Sequence, residues 1–111
     1  NLLNLVNIIR DRKNKDKDKS YTSSLLSGGL SKCIDKMEEE FDELKEALNH
    51  KSNIVHEAAD TIYHILVTLE AADIKFEEVL KELENRKNLS GIEEKNNRKW
   101  VMTKITLLQK F

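Results

Sequence analysis

The chemistry in this sequence is concentrated in two short acidic runs. One is Glu38-Glu39-Glu40-Phe41-Asp42-Glu43; the other, after thirteen intervening residues, is Glu57-Ala58-Ala59-Asp60. Glu40 and Glu43 are three apart, as are Glu57 and Asp60, and in a helix that spacing sets each pair on neighbouring positions of one face. Two such pairs on adjacent helices could hold a divalent cation. Carboxylates crowded to about 5 Å repel by roughly 3 kcal/mol at an effective dielectric near 20, so a converged set of this kind needs a metal or protons. The competing reading is a solvated helix face opposite an apolar stripe. The second run favours the cation, because no basic residue lies at helical spacing to offset Glu57 and Asp60.

The donor set narrows the metal. All-oxygen ligands on helices suit Mg²⁺ or Mn²⁺, which accept water in their remaining positions. A di-iron bundle needs Glu-x-x-His on two helices, and none of the three histidines has Glu three residues before it. Zinc lacks a Cys/His set. His64, one turn after Asp60, reads either as a supporting or substrate contact or as a half-exposed helix histidine with no role.

The elements that must position these acids are helical. Leu2, Leu5, Val6 and Ile9 recur at three- and four-residue spacing, predicting an amphipathic helix that ends near Lys13. Residues 11–19 contain no apolar side chain and read as a solvated loop, with the lysines as an alternative site for a polyanion. Ser20 can cap a short helix carrying Leu25 and Leu26, and Gly28-Gly29 can end it. Leu30, Ile34, Met37, Phe41, Leu44 and Leu48 then alternate spacings of four and three, a seam of coiled-coil type. After a break at Asn49–Asn53, with Ser52 or Asn53 as the next cap, Ile54, Val55, Ala58, Ala59, Ile62, Ile65, Leu66 and Leu69 form a broad apolar face. Glu57, Asp60 and His64 share the opposite one. A short connection at Ala71–Lys75 leads to a helix with Phe76, Val79, Leu80 and Leu83, opened by Glu77 and Glu78. Ser90-Gly91-Ile92-Glu93 has capping-box spacing and predicts a final turn or helix to Lys99, before an apolar tail from Trp100 to Phe111.

Composition agrees with a helical bundle. The 111 residues contain no proline, three glycines and 35% charged residues, and read as a single all-α domain. Hydrophobic content of 39% is low for a core of this size, which predicts that a second subunit supplies part of the burial. Nineteen basic residues against twenty acidic ones argue against nucleic-acid binding. No apolar run approaches membrane-spanning length, and the first nine residues are too short and polar for a signal peptide, so no membrane partner and a cytoplasmic location are expected. Cys33 is alone and reads as a small buried residue.

The pattern Glu-Glu-x-x-Glu followed by Glu-x-x-Asp resembles the MazG-type all-α nucleotide pyrophosphohydrolases. Flanking residues narrow the resemblance. Ser20-Tyr21-Thr22 with Leu25-Leu26, Gly29, Lys32 and Lys36, then Tyr63-His64, then Val79-Leu80 with Leu83-Glu84 and Arg86, and Ser90-Gly91-Ile92-Glu93-Glu94-Lys95 look like the phosphoribosyl-ATP pyrophosphohydrolases over about residues 2–98. The resemblance implies a bundle of four to five helices completed by dimerisation. It also implies Mg²⁺-dependent hydrolysis of phosphoribosyl-ATP to phosphoribosyl-AMP and pyrophosphate, an early step of histidine biosynthesis, with Mn²⁺ as a possible substitute. Carried over by position, the metal ligands are Glu40, Glu43, Glu57 and Asp60, and Glu39 orients or deprotonates the attacking water together with Glu40. Lys32, Lys36, Tyr21, Thr22, His64 and Arg86 are the implied substrate contacts. Glu38 stands where the family usually has Gly, Phe41 where it has Ala, and Asp73 and Lys75 where it has Gly and then Ser or Thr. Two rivals remain at this stage: a MazG-like enzyme acting on ordinary nucleoside triphosphates, and a non-catalytic helical dimerisation module whose apolar seam is a partner surface.

Overall fold

A computed structural model describes residues 1–87 and is helical throughout, with no strand among the described residues. The helices are α1 (Leu2–Arg12), α2 (Tyr21–Ser27), α3 (Leu30–His50), α4 (Ile54–Ala71) and α5 (Phe76–Lys87). They fall into two compact units, Asn1–Phe76 and a second that begins at Glu77. The capping-box sequence at Ser90 and the tail from Trp100 lie outside the described residues.

Local chemistry accounts for most helix ends. Asn1 caps α1 by accepting from the Asn4 amide at 3.2 Å, and the Ser20 hydroxyl accepts from the Ser23 amide at 3.0 Å at the start of α2. Gly29, at φ 89°, adopts a conformation L side chains rarely take, and so turns α2 into α3. The α3–α4 connection uses two left-handed non-glycine residues, Lys51 and Asn53. Asn53 holds the expected cap position, but its side chain makes no capping bond. At the end of α4, Asp73 is left-handed at φ 60°, with the Ile74 amide donating to the Leu69 carbonyl and the Asp73 amide to that of Glu70. That double closure is a Schellman motif, and Asp is among the few residues besides Gly that adopt the conformation readily.

In the unit Asn1–Phe76, Val6, Ile9, Leu25, Cys33, Leu66 and Val67 form the buried core, with Leu5, Leu26, Tyr63, Ala71 and Phe76 packed against it. Charge pins α1 to the end of α4. The Glu70 carboxylate lies 3.4 Å from Arg10 and 3.5 Å from Lys13, whose ammonium also bonds the Glu70 carbonyl and Asp73. Helices α3 and α4 run antiparallel and are joined by two threonine hydroxyls. Thr61 Oγ1 lies 3.2 Å from the Glu40 carbonyl, and Thr68 Oγ1 lies 3.2 Å from the Cys33 carbonyl.

This pairing decides which faces meet. The seam of α3 is not the surface that α4 covers: Leu30, Ile34, Phe41 and Leu48 are all exposed, and the buried residues of α3 are Cys33 and Ala47. The broad face expected for α4 is likewise divided, with Leu66 buried but Val55 84% and Ile62 45% exposed. The buried strip of α4 contains Thr61, His64 and Thr68, so His64 turns inward and is not half exposed. Small and polar residues let the two backbones approach closely enough for threonine to reach across.

The described part of the second unit is the body of α5. Glu77 and Glu78 in its first turn and Arg86 and Lys87 in its last complement the helix dipole. Arg86 pairs with Glu82 at 2.8 Å.

Candidate carboxylate metal centre

Helix α3 contributes Glu40 and Glu43, and α4 contributes Glu57 and Asp60. The threonine link fixes their relative height, since Thr61 Oγ1 also lies 2.7 Å from the Glu57 carbonyl. One hydroxyl therefore touches the backbone of a candidate ligand on each helix. Glu40, Glu43 and Glu57 each present a carboxylate oxygen within 4.8 Å of the others. Asp60 does not belong to that trio; it forms a second group with Glu57 and His56 under the same limit. Glu57 is common to both.

Glu40 is the centre of strain in this arrangement. Its side chain is only 15% exposed, and its Oε2 is fully buried with no hydrogen-bond partner. Burial pushes its pKa up to about 7, and the carboxylates of Glu43, Asp60 and Glu57 push it the same way. An orphaned, buried carboxylate oxygen facing other carboxylates fits a divalent cation, which would satisfy the lone pairs and offset the repulsion together.

A polar and aromatic layer supports the acids from one side. His64 Nδ1 lies 2.9 Å from the Asp60 carbonyl; a carbonyl only accepts, so Nδ1 donates. In the neutral ring Nε2 then accepts from the Tyr21 hydroxyl, 3.2 Å away. Tyr63 packs edge-on against His64 and stacks near Tyr21, while its hydroxyl bonds Thr22. The Tyr21 phenol is pushed above its ordinary value by burial; the Lys36 ammonium opposes that rise, and Glu40, Glu39 and Asp60 add to it. Tyr21 thus shares a neighbourhood with Lys36, Glu39, Glu40 and Asp60.

The remaining residues expected from the sequence are placed as follows. Lys36 Nζ lies 3.5 Å from Glu39 Oε1, and both are solvent accessible. The stem of Lys32 lies along the α2–α3 turn, where a Cβ on Gly28 would come within 2.5 Å of its Cδ. Arg86 belongs to the unit that begins at Glu77. Two contributors escaped the sequence reading, and Tyr63 entered it only as part of the Tyr63-His64 segment, with no role attached. Thr61 carries no motif that marks it. His56, whose Nε2 is 3.3 Å from Asp60 Oδ2, had a signal in its spacing of four from Asp60.

Comparison with known proteins bears on the same residues. The phosphoribosyl-ATP pyrophosphohydrolase family matches residues 2–87. A phosphoribosyl-ATP pyrophosphatase of Roseobacter denitrificans is 45% identical over 92 residues, covering 81% of this chain and 88% of the relative. Those of Dinoroseobacter shibae and Paracoccus denitrificans are 44% and 41% identical, covering 81% and 86% of this chain and 90% of each relative. No solved structure gives a significant match. Both the family match and the relatives span the two acidic runs and the helices that carry them, and the chain belongs to the phosphoribosyl-ATP pyrophosphohydrolase family.

Proposed function

We propose that this chain hydrolyses phosphoribosyl-ATP to phosphoribosyl-AMP and pyrophosphate in the cytoplasm, as an early step of histidine biosynthesis, with Mg²⁺ or Mn²⁺ held by Glu40, Glu43, Glu57 and Asp60. The observation that carries this reading is the buried, unpartnered Glu40 oxygen among carboxylates from two helices, in a chain of this family. When bound, the cation supplies positive charge for the polyphosphate and lowers the pKa of water.

The protein's own part is positioning and charge, which is most of what phosphoryl chemistry asks of it. Glu40 and Glu43 on one helix and Glu57 and Asp60 on the other set the position of the polyphosphate. Glu39 is accessible and one residue from the buried ligand Glu40; it accepts the proton of the attacking water. Lys36, beside it, offsets negative charge on the phosphates, and Lys32 adds to that field from the α2–α3 turn. Tyr21 offers an exposed ring whose hydroxyl is anchored on His64, so it can border the nucleotide without moving. Thr22 is anchored on Tyr63 in the same way. Arg86, a substrate contact by the family resemblance alone, lies in the unit that begins at Glu77.

A homodimer is part of the proposal. The hydrogen bonds of Thr61 and Thr68 fix the α3–α4 contact line. At about 100° per residue, Leu30, Phe41 and Leu48 on α3 and Val55 and Ile62 on α4 then fall on one side of the pair, away from Lys36, Glu43, Glu57 and His64. Uncovered, this stripe would be an apolar patch of a kind monomers rarely leave in water. A second copy fits it because the stripe has coiled-coil spacing and matches itself. No helix among the described residues is long and apolar enough to cross a membrane.

The substrate assignment is tested by following phosphoribosyl-ATP and ATP with ³¹P NMR at equal concentrations. The expected products are pyrophosphate and phosphoribosyl-AMP, with ATP consumed much more slowly. Equal consumption of both would favour a general nucleoside triphosphate pyrophosphohydrolase, and release of inorganic phosphate would contradict the proposal.

A further inference from the structure

Tyr21 stands beside the acidic site with its only hydroxyl hydrogen already committed. His64 is 3% exposed, so it does not meet a substrate itself. Its Nδ1 lies 2.9 Å from the Asp60 carbonyl and 3.9 Å from Glu40 Oε1, so the hydrogen on Nδ1 goes to the carbonyl. A neutral imidazole with its hydrogen on Nδ1 has none on Nε2, which can then only accept. The Tyr21 hydroxyl, 3.2 Å away, therefore donates to Nε2, and a phenol has one hydrogen to give. What remains for a ligand is an acceptor lone pair, which an ionised phosphate oxygen cannot use, and the face of the ring. Thr22 differs. Its hydroxyl bonds that of Tyr63, and two hydroxyls that share one bond keep one hydrogen between them.

The ring is also held in place. Tyr21 is 56% exposed, and Tyr63 stacks beside it with centroids 6.3 Å apart and planes 23° apart. Through His64, its hydroxyl is tied to the backbone of Asp60, a proposed cation ligand. An accessible aromatic face is thereby fixed relative to the acids, and the one aromatic group of phosphoribosyl-ATP is its purine. We propose that the Tyr21 ring stacks on the purine base, and that buried His64 is the positioning residue that withholds the phenol from the phosphates and fixes the ring. The inference rests on the phosphoribosyl-ATP reading of the site. It divides the work there, with Tyr21 taking the base while Lys36 and the cation take the polyphosphate.

Steady-state kinetics and NMR on the full chain with Mg²⁺ test this. Tyr21→Leu removes the aromatic ring and should raise KM for phosphoribosyl-ATP about five- to a hundredfold, with kcat changed much less. Inhibition by pyrophosphate, which has no base, should be unaltered. Tyr21→Phe keeps the ring without its anchor, and His64→Leu removes the acceptor. Each should raise KM about two- to tenfold, and the double variant no further than the worse single one, because both break the same bond. His64→Gln, whose amide oxygen can accept from the phenol, should lose less than His64→Leu. In wild type and Tyr21→Phe, the purine H2 and H8 signals of added phosphoribosyl-AMP should move upfield in the ring current; in Tyr21→Leu they should not. An unaltered KM in Tyr21→Leu would overturn the base contact. So would Tyr21→Phe proving as damaging as Tyr21→Leu with pyrophosphate inhibition weakened in both, since the hydroxyl would then be a phosphate donor. Additive losses for Tyr21→Phe and His64→Leu would overturn the positioning role of His64. Wild type that shows the purine shifts but leaves phosphoribosyl-ATP intact would overturn the proposed reaction and uphold the base contact.

Discussion

The two sides of the α3–α4 pair contrast sharply. One side gathers Lys36, Glu43, Glu57, Asp60 and His64, with α1 and α2 packed nearby; the other presents Leu30, Phe41, Leu48, Val55 and Ile62 to solvent. The difference shows that the strongest hydrophobic periodicity in a chain need not mark its own core. Here the contact within the chain is made by Cys33, Ala47, Thr61 and Thr68, which are small or hydroxylated and so allow close approach. Large side chains at that line would hold the helices apart and separate Glu40 from Glu57. In the account above, the apolar side serves a second copy while the polar side serves the reaction.

Changes on each side should therefore have separate effects. On the polar side, Glu40→Gln removes a proposed ligand. Changing groups that only support ligands costs 10- to 100-fold, so the loss in kcat/KM should exceed about a hundredfold with the mass of the assembly unchanged. On the apolar side, Phe41→Glu places a charge in the proposed interface. It should raise the dimer dissociation constant at least about thirtyfold, read by light scattering over a dilution series, while leaving the helical content of the monomer intact. A dimer insensitive to this change would break the assignment of that side.

Thr61→Val probes the line between the sides. It preserves volume and branching but removes the hydroxyl that reaches the Glu40 and Glu57 carbonyls. The expected cost is about 1 kcal/mol of stability in denaturant titration, with a weakening of metal affinity by about tenfold or more. A loss of stability with no change in metal affinity would mean that the hydroxyl only joins helices.

A further expected effect is a pH dependence with a defined sign. Glu40 has its pKa raised to about 7 in the folded protein, so between its ordinary value and 7 the native state binds more protons than the unfolded one. Without metal, wild type should lose stability relative to Glu40→Gln as pH rises through that window. With a cation saturating the site the carboxylate is neutralised without a proton, and the trend should reverse. Thermal unfolding of both proteins at pH 5 and pH 7.5, with and without Mn²⁺, reads this sign directly.

Much of this architecture was legible in the residue pattern because local chemistry decided it. Ser20 capping α2, Gly29 turning into α3 and Asp73 closing α4 each depend on side chains within a few positions. The two acidic pairs were legible for the same reason, since spacing of three within a helix is a local property. What was not legible depends on how the helices are rotated against each other. Periodicity identified the Leu30–Leu48 stripe correctly but could not say whether α4 or another molecule covers it. That rotation also decides that His64 faces inward, that Thr61 bonds across, and that Asp60 groups with His56 instead of Glu40 and Glu43. Phe41 was legible as a member of that stripe; that it is exposed follows from the rotation.

The central claim is that the acids on the polar side act together through a divalent cation on phosphoribosyl-ATP. Its most direct test is the rate of pyrophosphate release from that substrate by wild type with Mg²⁺, with Mg²⁺ and excess chelator, and by Glu40→Gln. The account predicts steady release in the first case and near-background rates in the other two. Release that persists at the wild-type rate under chelation, or in the Glu40→Gln protein, would contradict it.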